Sequence, residues 1–296
     1  MIKLVKQIVA YAKNCFYTFE FFIYILIFEN FTNYIRKFGI SNQHPSKRIA
    51  ILANGPSLME TLSNFKTGKN EFEEMDFCAV NYFANDPHFD MFRPKLYVLS
   101  DPQFLANNCF KEKVLMLYKN LNKKVTWAMN LYVQYYSLKE TNWGEIITNK
   151  NITIIPFHSK VFKGSALMRN YLFKRGIASA DYGTVIHHCI LISINLGYNE
   201  INLYGVDHTF FDGLTVNDNN QVCRKVSHFY NTETNEVKPI YHHYTKQFFP
   251  YTMSFFLYDH MRIFQGHEIL NDYAKYRNVK IINRTKDSMI DAYTRF

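Results

Sequence analysis

Short apolar runs recur along the chain from residue 48 onward, and each ends near a polar or turn-forming residue. Runs of this length, separated by stretches of helical periodicity, predict buried strands that alternate with helices. The predicted strands are Arg48–Leu52, Asp76–Val80, Lys95–Leu99, Val125–Met129, Ile152–Ile155, Glu200–Tyr204 and Val279–Asn283. The alternation indicates an α/β fold with a mostly parallel sheet and helices on both of its faces.

Helical periodicity is clear in two segments of the second half of the chain. One runs from Thr184 to Leu196 and is stopped by Gly197, and the other runs from Glu268 to Arg277. Residues 208–262 are dense in Phe, Tyr and His and fit the alternation poorly, so we expect a lid-like insertion there. The predicted organisation is an N-terminal segment 1–45, an α/β domain 46–207, a lid 208–262, and a C-terminal helix and strand 263–296 that complete the domain.

The N-terminal segment has its own pattern, in which apolar residues recur every three or four positions as on one face of a helix. These residues are Ile8, Val9, Ala12, Phe16, Phe19, Ile23 and Leu26. The uninterrupted apolar run, Phe21–Phe28, is too short to cross a bilayer, which takes about 20 residues. Aromatic residues on an apolar face with Lys and Arg near the ends are typical of an amphipathic helix at a membrane surface. Packing on the protein's own core, or on a second subunit of a homo-oligomer, is the alternative.

Charge and cysteine content narrow the partners and the compartment. The chain has 34 Lys and Arg against 25 Asp and Glu, and this formal charge of +9 predicts attraction to anionic partners. The basic residues form no cluster and no recognition motif, so we do not expect nucleic acid binding. The five cysteines are unpaired in spacing, and no small-residue cleavage site follows the first apolar run, so we expect a reduced, cytoplasmic protein.

Candidate chemistry lies at the ends of the predicted strands, because open α/β sheets bind ligands beyond the carboxyl ends of their strands. These ends carry Asn54–Ser57, Asn81, Asp101 and Asp207. Gly55 permits a tight turn, Ser57 can cap the following helix, and the N-terminus of that helix favours phosphate. The turn is neither a P-loop nor a dinucleotide-binding GxGxxG motif. The side-chain amides of Asn54 and Asn81 are suited to bind a nucleotide base and a ribose.

Neither the carboxylates nor the histidines form a recognisable metal motif. Asp207 and Asp212 stand five residues apart, whereas the glycosyltransferase Asp-x-Asp pair is two apart, so we expect no metal. Six of the eleven histidines lie in or beside the predicted lid: His208, His228, His242, His243, His260 and His267. Because the pKa of histidine lies near neutrality, one of these is expected to act as a general base.

Three segments together resemble a known family: Ile49–Leu58 with its Asn-Gly-Pro-Ser-Leu turn, Ala79–Phe83, and Tyr182–Asp207 with its Leu-Gly, strand and Gly-Val-Asp. In that order they resemble the bacterial sialyltransferases that modify lipooligosaccharide from CMP-N-acetylneuraminic acid, and the related motility-associated factor glycosyltransferases. The resemblance covers roughly residues 48–110 and 180–213, and more weakly 260–296. It implies a GT-A-like (Rossmann-like) domain that needs no metal and no cofactor beyond the CMP-sugar co-substrate.

The resemblance also implies roles for individual residues. Donor-binding roles fall on Asn54, Gly55, Pro56, Ser57, Asn81, Asp101, Thr184 and Asp207. His260 corresponds best to the family's general base, and His267 is the second choice. Where the family has tyrosines that bind the leaving phosphate, this chain has His208–Phe211, so His208, Thr209 or Tyr244 takes that role.

The sequence therefore predicts an inverting, metal-independent glycosyltransferase that moves a nonulosonic acid such as sialic acid from a CMP-activated donor to a surface glycan or glycolipid. The predicted location is cytoplasmic and peripheral to the inner membrane of a bacterium. One alternative is a magnesium-dependent diphosphotransferase of the pterin pyrophosphokinase type. Another is a non-catalytic nucleotide- or glycan-binding protein.

Overall fold

A computed structural model of the chain describes residues 2–28, 47–66, 72–104, 111–181, 183–225, 237–241 and 250–295. The strands in these ranges are β1 Arg48–Leu52, β2 Met75–Val80, β3 Leu96–Leu99, β4 Met129–Gln134, β5 Ile152–Phe157, β6 Glu200–Tyr204, β7 Thr215–Val216, β8 Val222–Lys225, β9 Val237–Pro239, β10 Lys280–Asn283 and β11 Thr294–Arg295. The helices are α1 Ile2–Phe28, α2 Leu58–Lys66, α3 Phe89–Phe92, α4 Lys111–Lys124, α5 Ser137–Glu140, α6 Trp143–Ile146, α7 Ala166–Lys174, α8 Val185–Leu196 and α9 Met253–Tyr276. Phe83–Asn85 and Pro102–Phe104 are single 3-10 turns.

Within the described residues, eight strands form one sheet in the order β11-β10-β6-β1-β2-β3-β4-β5. Every pairing in this sheet is parallel, so the carboxyl ends of all its strands lie along one edge. Strand order reverses direction around β1, which has β6 on one side and β2 on the other. The predicted α/β class with a mostly parallel sheet is confirmed.

The sheet is covered on both faces. Because successive side chains of a strand point to opposite sides, one strand contributes to two cores. In β1, Ile49 and Ile51 pack into a core shared with α8 and α9, whereas Ala50 and Leu52 pack into a second core shared with α2 and α4. All four of these side chains are fully buried. Burial on both faces explains why this strand is apolar throughout instead of alternating.

One predicted strand is wrong: the strand at this point is Met129–Gln134, not Val125–Met129. Helix α4 continues to Lys124, and Val125 is buried without joining the sheet. The Trp127 indole N–H donates to the Pro94 carbonyl at 2.8 Å, which holds this segment as a connection. The apolar residues of this connection therefore gave the sequence pattern of a strand. In the actual strand, the polar residues Asn130 and Gln134 interrupt that pattern.

The predicted boundary between lid and C-terminal helix, at 262/263, falls inside helix α9. This helix begins at Met253, well before the predicted start at Glu268. Thr252 is its N-cap, and the Thr252 hydroxyl accepts from the Phe255 N–H at 3.3 Å. Its first half has apolar residues on several sides, since Phe256 is buried while Leu257 is exposed, and this hides the helical period. Of the rest of the predicted lid, the described part contains the antiparallel sheet β7-β8-β9.

Helix α1 carries apolar residues on two opposite faces. Phe21 and Ile25 are buried in the protein's own core, and the Phe21 ring packs edge-on against Phe162 at 5.3 Å. The predicted apolar stripe lies on the other face, where Phe16 is 64% and Phe19 67% exposed. Of the two alternatives, own-core packing therefore occurs, but through residues outside the predicted stripe. No helix in the described ranges has the length and apolarity to cross a membrane.

Candidate functional site

The turn after β1 is held against the end of β6. The Ala53 N–H donates to the Tyr204 carbonyl at 2.9 Å, and the Gly55 N–H donates to the Gly205 carbonyl at 2.8 Å. A Cβ atom at residue 55 would stand 1.8 Å from Oδ2 of Asp207, so only glycine fits. A glycine is required here because the loop after β1 and the loop after β6 approach each other too closely for a side chain. Pro56 is exposed on the outer side of the turn.

Asp207 occupies the N-terminus of helix α2. Its carboxylate accepts from the Ser57 N–H at 3.2 Å and from the Ser57 hydroxyl at 2.9 Å. A carboxylate at a helix N-terminus is favoured by the helix dipole. Burial raises the pKa of Asp207, while the two bonds from Ser57 act in the opposite direction. Of the groups at which the sequence led us to expect an anion, Ser57 thus binds the protein's own Asp207 carboxylate, and the Gly55 N–H binds the Gly205 carbonyl.

Asn81 combines a constrained backbone with an unpaired side-chain oxygen. It follows β2 with a left-handed backbone (φ 50°), a conformation that asparagine tolerates better than most residues. Its carbonyl accepts from the Tyr97 hydroxyl at 2.7 Å, which fixes the backbone. Its side-chain Oδ1 is buried and has no hydrogen-bond partner among the described residues. A buried unpaired polar atom is costly, which keeps Asn81 a candidate for contact with a bound molecule.

Asp101 and Thr184, also predicted to bind the donor, serve local structure in this state. Asp101 is exposed, and its Oδ1 accepts from the Gln103 N–H at 2.9 Å in the turn after β3. The Tyr82 hydroxyl donates to Gln103 Oε1 at 2.9 Å, which joins this turn to the loop that contains Asn81. Thr184, which the sequence pattern made the first residue of the predicted helix, caps α8 by accepting from the Ile186 N–H at 3.4 Å.

His260, the first-choice general base, is held at one ring nitrogen by the backbone of its own helix. Its Nδ1 lies 2.7 Å from the Phe256 carbonyl oxygen. A carbonyl can only accept, so Nδ1 carries the proton and Nε2 keeps its lone pair. The side chain is 9% exposed and packs against the rings of Phe256 at 3.9 Å and Phe210 at 4.4 Å. Burial is the main cause that lowers the pKa of His260, so the imidazole is neutral at pH 7.

His267 lies deeper than a proton-abstracting group requires. It is fully buried, with Nδ1 2.9 Å from the Tyr293 hydroxyl. Its ring packs on His187 at 4.4 Å and on His208 at 5.0 Å. His267, the second choice for the general base, therefore lies in the interior of the protein, where its ring packs against His208. Thr209 is half-buried next to His208, and its carbonyl accepts from the Asp212 N–H at 3.3 Å.

The three packed histidines form a group that the sequence did not reveal, which we call the histidine cluster: His187, His208 and His267. Burial lowers the pKa of His187 and of His208 to about 3 and that of His267 well below its ordinary value, so all three are neutral at pH 7. His208 has a left-handed backbone (φ 51°), and Nε2 of both His208 and His267 lacks a partner among the described residues. Gly266 makes the cluster possible, because a Cβ there would stand 2.3 Å from the His187 ring.

Asp181 and Arg262 form a second connection that sequence reasoning missed. An Arg262 Nη2–H donates to Asp181 Oδ2 at 2.9 Å, and Asp181 Oδ1 accepts from the Gly183 N–H at 2.7 Å. This ties helix α9, which carries His260, to the cap of α8. Neither residue belongs to a motif, and at a separation of 81 positions the pair gave no sequence signal.

Several predicted residues cannot be placed. Tyr244, His228, His242 and His243 lie outside the described residues. Within the described ranges, no group of three or more His, Cys, Asp or Glu has a metal-binding arrangement.

Comparison with known proteins finds similarity to solved structures at low sequence identity. No protein-family model and no curated protein sequence matches the chain. Among solved structures, a MAf glycosyltransferase from Magnetospirillum magneticum AMB-1 is similar, with 14% identity and a TM-score of 0.46 over 89% of this chain. The match spans only 36% of that protein. The fold assignment therefore depends on the strand order described above, and the function is argued below from the site.

Proposed function

We propose that this chain is a glycosyltransferase that moves a nonulosonic acid such as sialic acid from a CMP-activated donor to a surface glycan. The observation that carries the proposal is His260, a neutral imidazole whose Nδ1–H is held by a backbone carbonyl and whose Nε2 is left as a base. It stands in contact with Phe210 of the loop that follows strand β6, at the edge where α/β folds bind ligands. The CMP donor comes from the resemblance of the three sequence segments.

In this proposal the acceptor hydroxyl attacks the anomeric carbon of the donor while His260 Nε2 takes its proton. The bond from that carbon to the phosphate oxygen breaks, and its electron pair leaves with CMP. One direct displacement inverts the configuration and needs no covalent intermediate. A positioned general base contributes about 10²–10⁴ to the rate of such a step. The aromatic rings around His260 exclude water from it.

Donor contacts in this proposal fall on Asn54 and Asn81, because the unpaired Oδ1 of Asn81 needs a partner. Ser57 holds the Asp207 carboxylate and Gly55 leaves room for it, which supports the turn that presents Asn54. Asp101 and Thr184 shape the neighbouring loops. Thr209 and His208 are the polar groups beside His260 that are available to the departing phosphate.

Helix α1 supports a further part of the proposal, attachment to the surface of the inner membrane. Its outer face exposes Ile8, Phe16 and Phe19, while Lys6 and Lys13 are also exposed on the same helix. Exposed apolar side chains together with lysines favour an anionic lipid surface. A lipid-linked glycan acceptor would be reached from that position.

The test is release of CMP from CMP-N-acetylneuraminic acid in the presence of EDTA and a mixture of glycan acceptors. The His260→Asn variant keeps an amide donor for the Phe256 carbonyl but has no base. We expect wild-type protein to release CMP and the variant to be at least a hundredfold slower. Equal rates would remove His260 from the mechanism. Release of AMP from ATP in the presence of magnesium, with no release of CMP, would point instead to the diphosphotransferase alternative, and no release of CMP by the wild type would contradict the donor.

A further inference from the structure

A cavity of about 340 Å³ opens at the same edge of the sheet, on the side of strands β4 and β5. Its walls come from helix α1, from the residues that follow these two strands, and from α9. Tyrosines and lysines dominate them, and we call this cavity the tyrosine pocket: Tyr17, Tyr24, Tyr135, Tyr136, Lys160 and Lys163. The volume is at the lower end of the roughly 300–1,000 Å³ that small-molecule sites occupy.

The pocket is distinct from the site around His260. Tyr135 and Tyr136 directly follow β4, and Lys160 follows β5, whereas Asn81 and Asp207 follow β2 and β6. Strand β3 lies between the two groups in the sheet order. Helix α9 is common to the two sites, since it carries His260 and supplies Arg262 to the pocket.

The charge in the pocket is positive. Arg262 is compensated by Asp181 at 2.9 Å and approached by Asp259 at 3.7 Å. The Lys160 ammonium lies 3.6 Å from the centre of the Tyr24 ring, a cation–π contact that fixes its position without neutralising its charge. Lys163 is exposed and pairs with no carboxylate in the described part of the chain. Glu20 is the acidic residue of the walls, so the two lysines outweigh it.

The aromatic walls indicate what kind of anion fits. Tyrosine offers a flat apolar ring and a hydroxyl on one side chain, which matches a ligand that has both C–H faces and hydroxyl groups. A sugar ring has both, and a carboxylate or phosphate on it would meet the lysines. We propose that the tyrosine pocket binds an acidic sugar residue of the glycan acceptor, away from the reacting hydroxyl. That this sugar belongs to an acceptor rests on the proposed function, whereas the binding of an acidic sugar in the pocket does not.

A direct binding experiment tests this proposal without donor or turnover. Wild-type protein is titrated with pairs of sugars that differ by one acidic group: sialyllactose and lactose, digalacturonic acid and digalactose, and a galactose phosphate and galactose. We expect at least one acidic member to bind about tenfold more tightly than its neutral partner. The pair that responds tells a carboxylate from a phosphate. Binding of neutral members with equal affinity, or of no member, would overturn the proposal.

Charge variants with opposite effects locate the binding. Lys163→Gln should weaken binding of the acidic sugar about two- to fivefold, and Glu20→Gln should strengthen it by a similar factor, because both side chains are exposed and solvent screens them. Lys150→Gln removes an equal charge just before β5, at the opposite edge of the sheet, and should change nothing. Equal effects of the two lysine variants would contradict a site in the tyrosine pocket.

Aromatic variants and a competition experiment complete the test. Tyr17→Ala should weaken binding of the acidic sugar, whereas Tyr11→Ala, on the same helix but 73% exposed and outside the pocket, should not. Added CMP should leave sugar binding unchanged, and displacement by CMP would make the pocket the nucleotide site instead. If CMP fails to bind anywhere while the acidic sugar binds as expected, the donor proposal fails and the pocket proposal stands.

Discussion

Ser57 donates twice to the carboxylate of Asp207, from its backbone N–H at 3.2 Å and from its hydroxyl at 2.9 Å. The two residues are 150 positions apart in sequence, and their contact joins the first and sixth strands of the fold at the ligand-binding edge. The bonds place a negative charge at the N-terminus of α2, where an open anion site was expected. Ser57 is therefore first a structural residue, and its effect on function passes through Asp207.

Removal of the Ser57 hydroxyl should measurably destabilise the protein. The Ser57→Ala variant leaves the nearly buried Asp207 carboxylate with one donor fewer, and we expect a loss of about 2 kcal/mol in the free energy of unfolding. Urea denaturation at pH 7 measures this. Ser63→Ala, which removes an exposed hydroxyl from the same helix, should change it by less than about 0.5 kcal/mol. Equal losses in the two variants would show that the bond to Asp207 contributes nothing.

Gly55 should tolerate no side chain, because neighbouring atoms already occupy the space that a side chain would need. A Cβ there would meet Asp207 Oδ2 at 1.8 Å and the Gly205 carbonyl oxygen at 2.5 Å, so backbone as well as side chain has to move. We expect Gly55→Ala to lower the free energy of unfolding by roughly 3 kcal/mol. Gly197→Ala is the matched control: it has a φ of 92° but open space around it, so backbone strain alone should cost about 1 kcal/mol. A smaller loss at residue 55 than at residue 197 would contradict this.

The histidine cluster should make the fold sensitive to mild acid. The native pKa values of His187 and His208 are about 3, below the ordinary value near 6.5 that applies when the chain is unfolded. Below pH 6.5 the unfolded chain therefore binds more protons, and the free energy of unfolding falls as pH falls. Each such histidine contributes a slope of up to about 1.4 kcal/mol per pH unit.

The His208→Asn variant tests this origin, because asparagine accepts the left-handed backbone at residue 208 and does not titrate. Urea denaturation of wild type and variant at pH 7, 6 and 5.5 should give a slope that is shallower in the variant by up to about 1.4 kcal/mol per pH unit. Identical slopes would mean that His208 titrates alike in the folded and unfolded states.

The outer face of α1 should bind anionic membranes. Phe16 and Phe19 are 64% and 67% exposed, and both lie on the face opposite the buried Phe21. The double variant Phe16→Ser and Phe19→Ser should fold normally but lose most of its co-sedimentation with vesicles that contain anionic lipid. Wild type should bind neutral vesicles more weakly than anionic ones. Unchanged sedimentation of the variant would assign this face to something other than lipid.

The sheet was largely accessible from sequence because strands buried on both faces read as apolar runs, as in β1 and most of β2. Gly197, whose place at the end of a helix depends on local backbone chemistry, was also accessible. Contacts between distant segments were not. The partner of Ser57 is 150 residues away, and the packing of His187 on His267 needs Gly266 to leave space between two helices. Such contacts arise from tertiary packing and leave no periodic trace in the sequence.

The central claim, a metal-independent transferase with a CMP donor, is tested most directly by thermal stability in the presence of CMP, UDP, GDP or ATP, each with EDTA and with magnesium. A ligand at about 100 times its dissociation constant adds roughly 2.7 kcal/mol to the free energy of unfolding, which is an easily measured shift. We expect CMP to stabilise the protein equally with EDTA and with magnesium, and Asn81→Ala to abolish the shift. Stabilisation by ATP and magnesium alone, or by none of the four, would contradict the account.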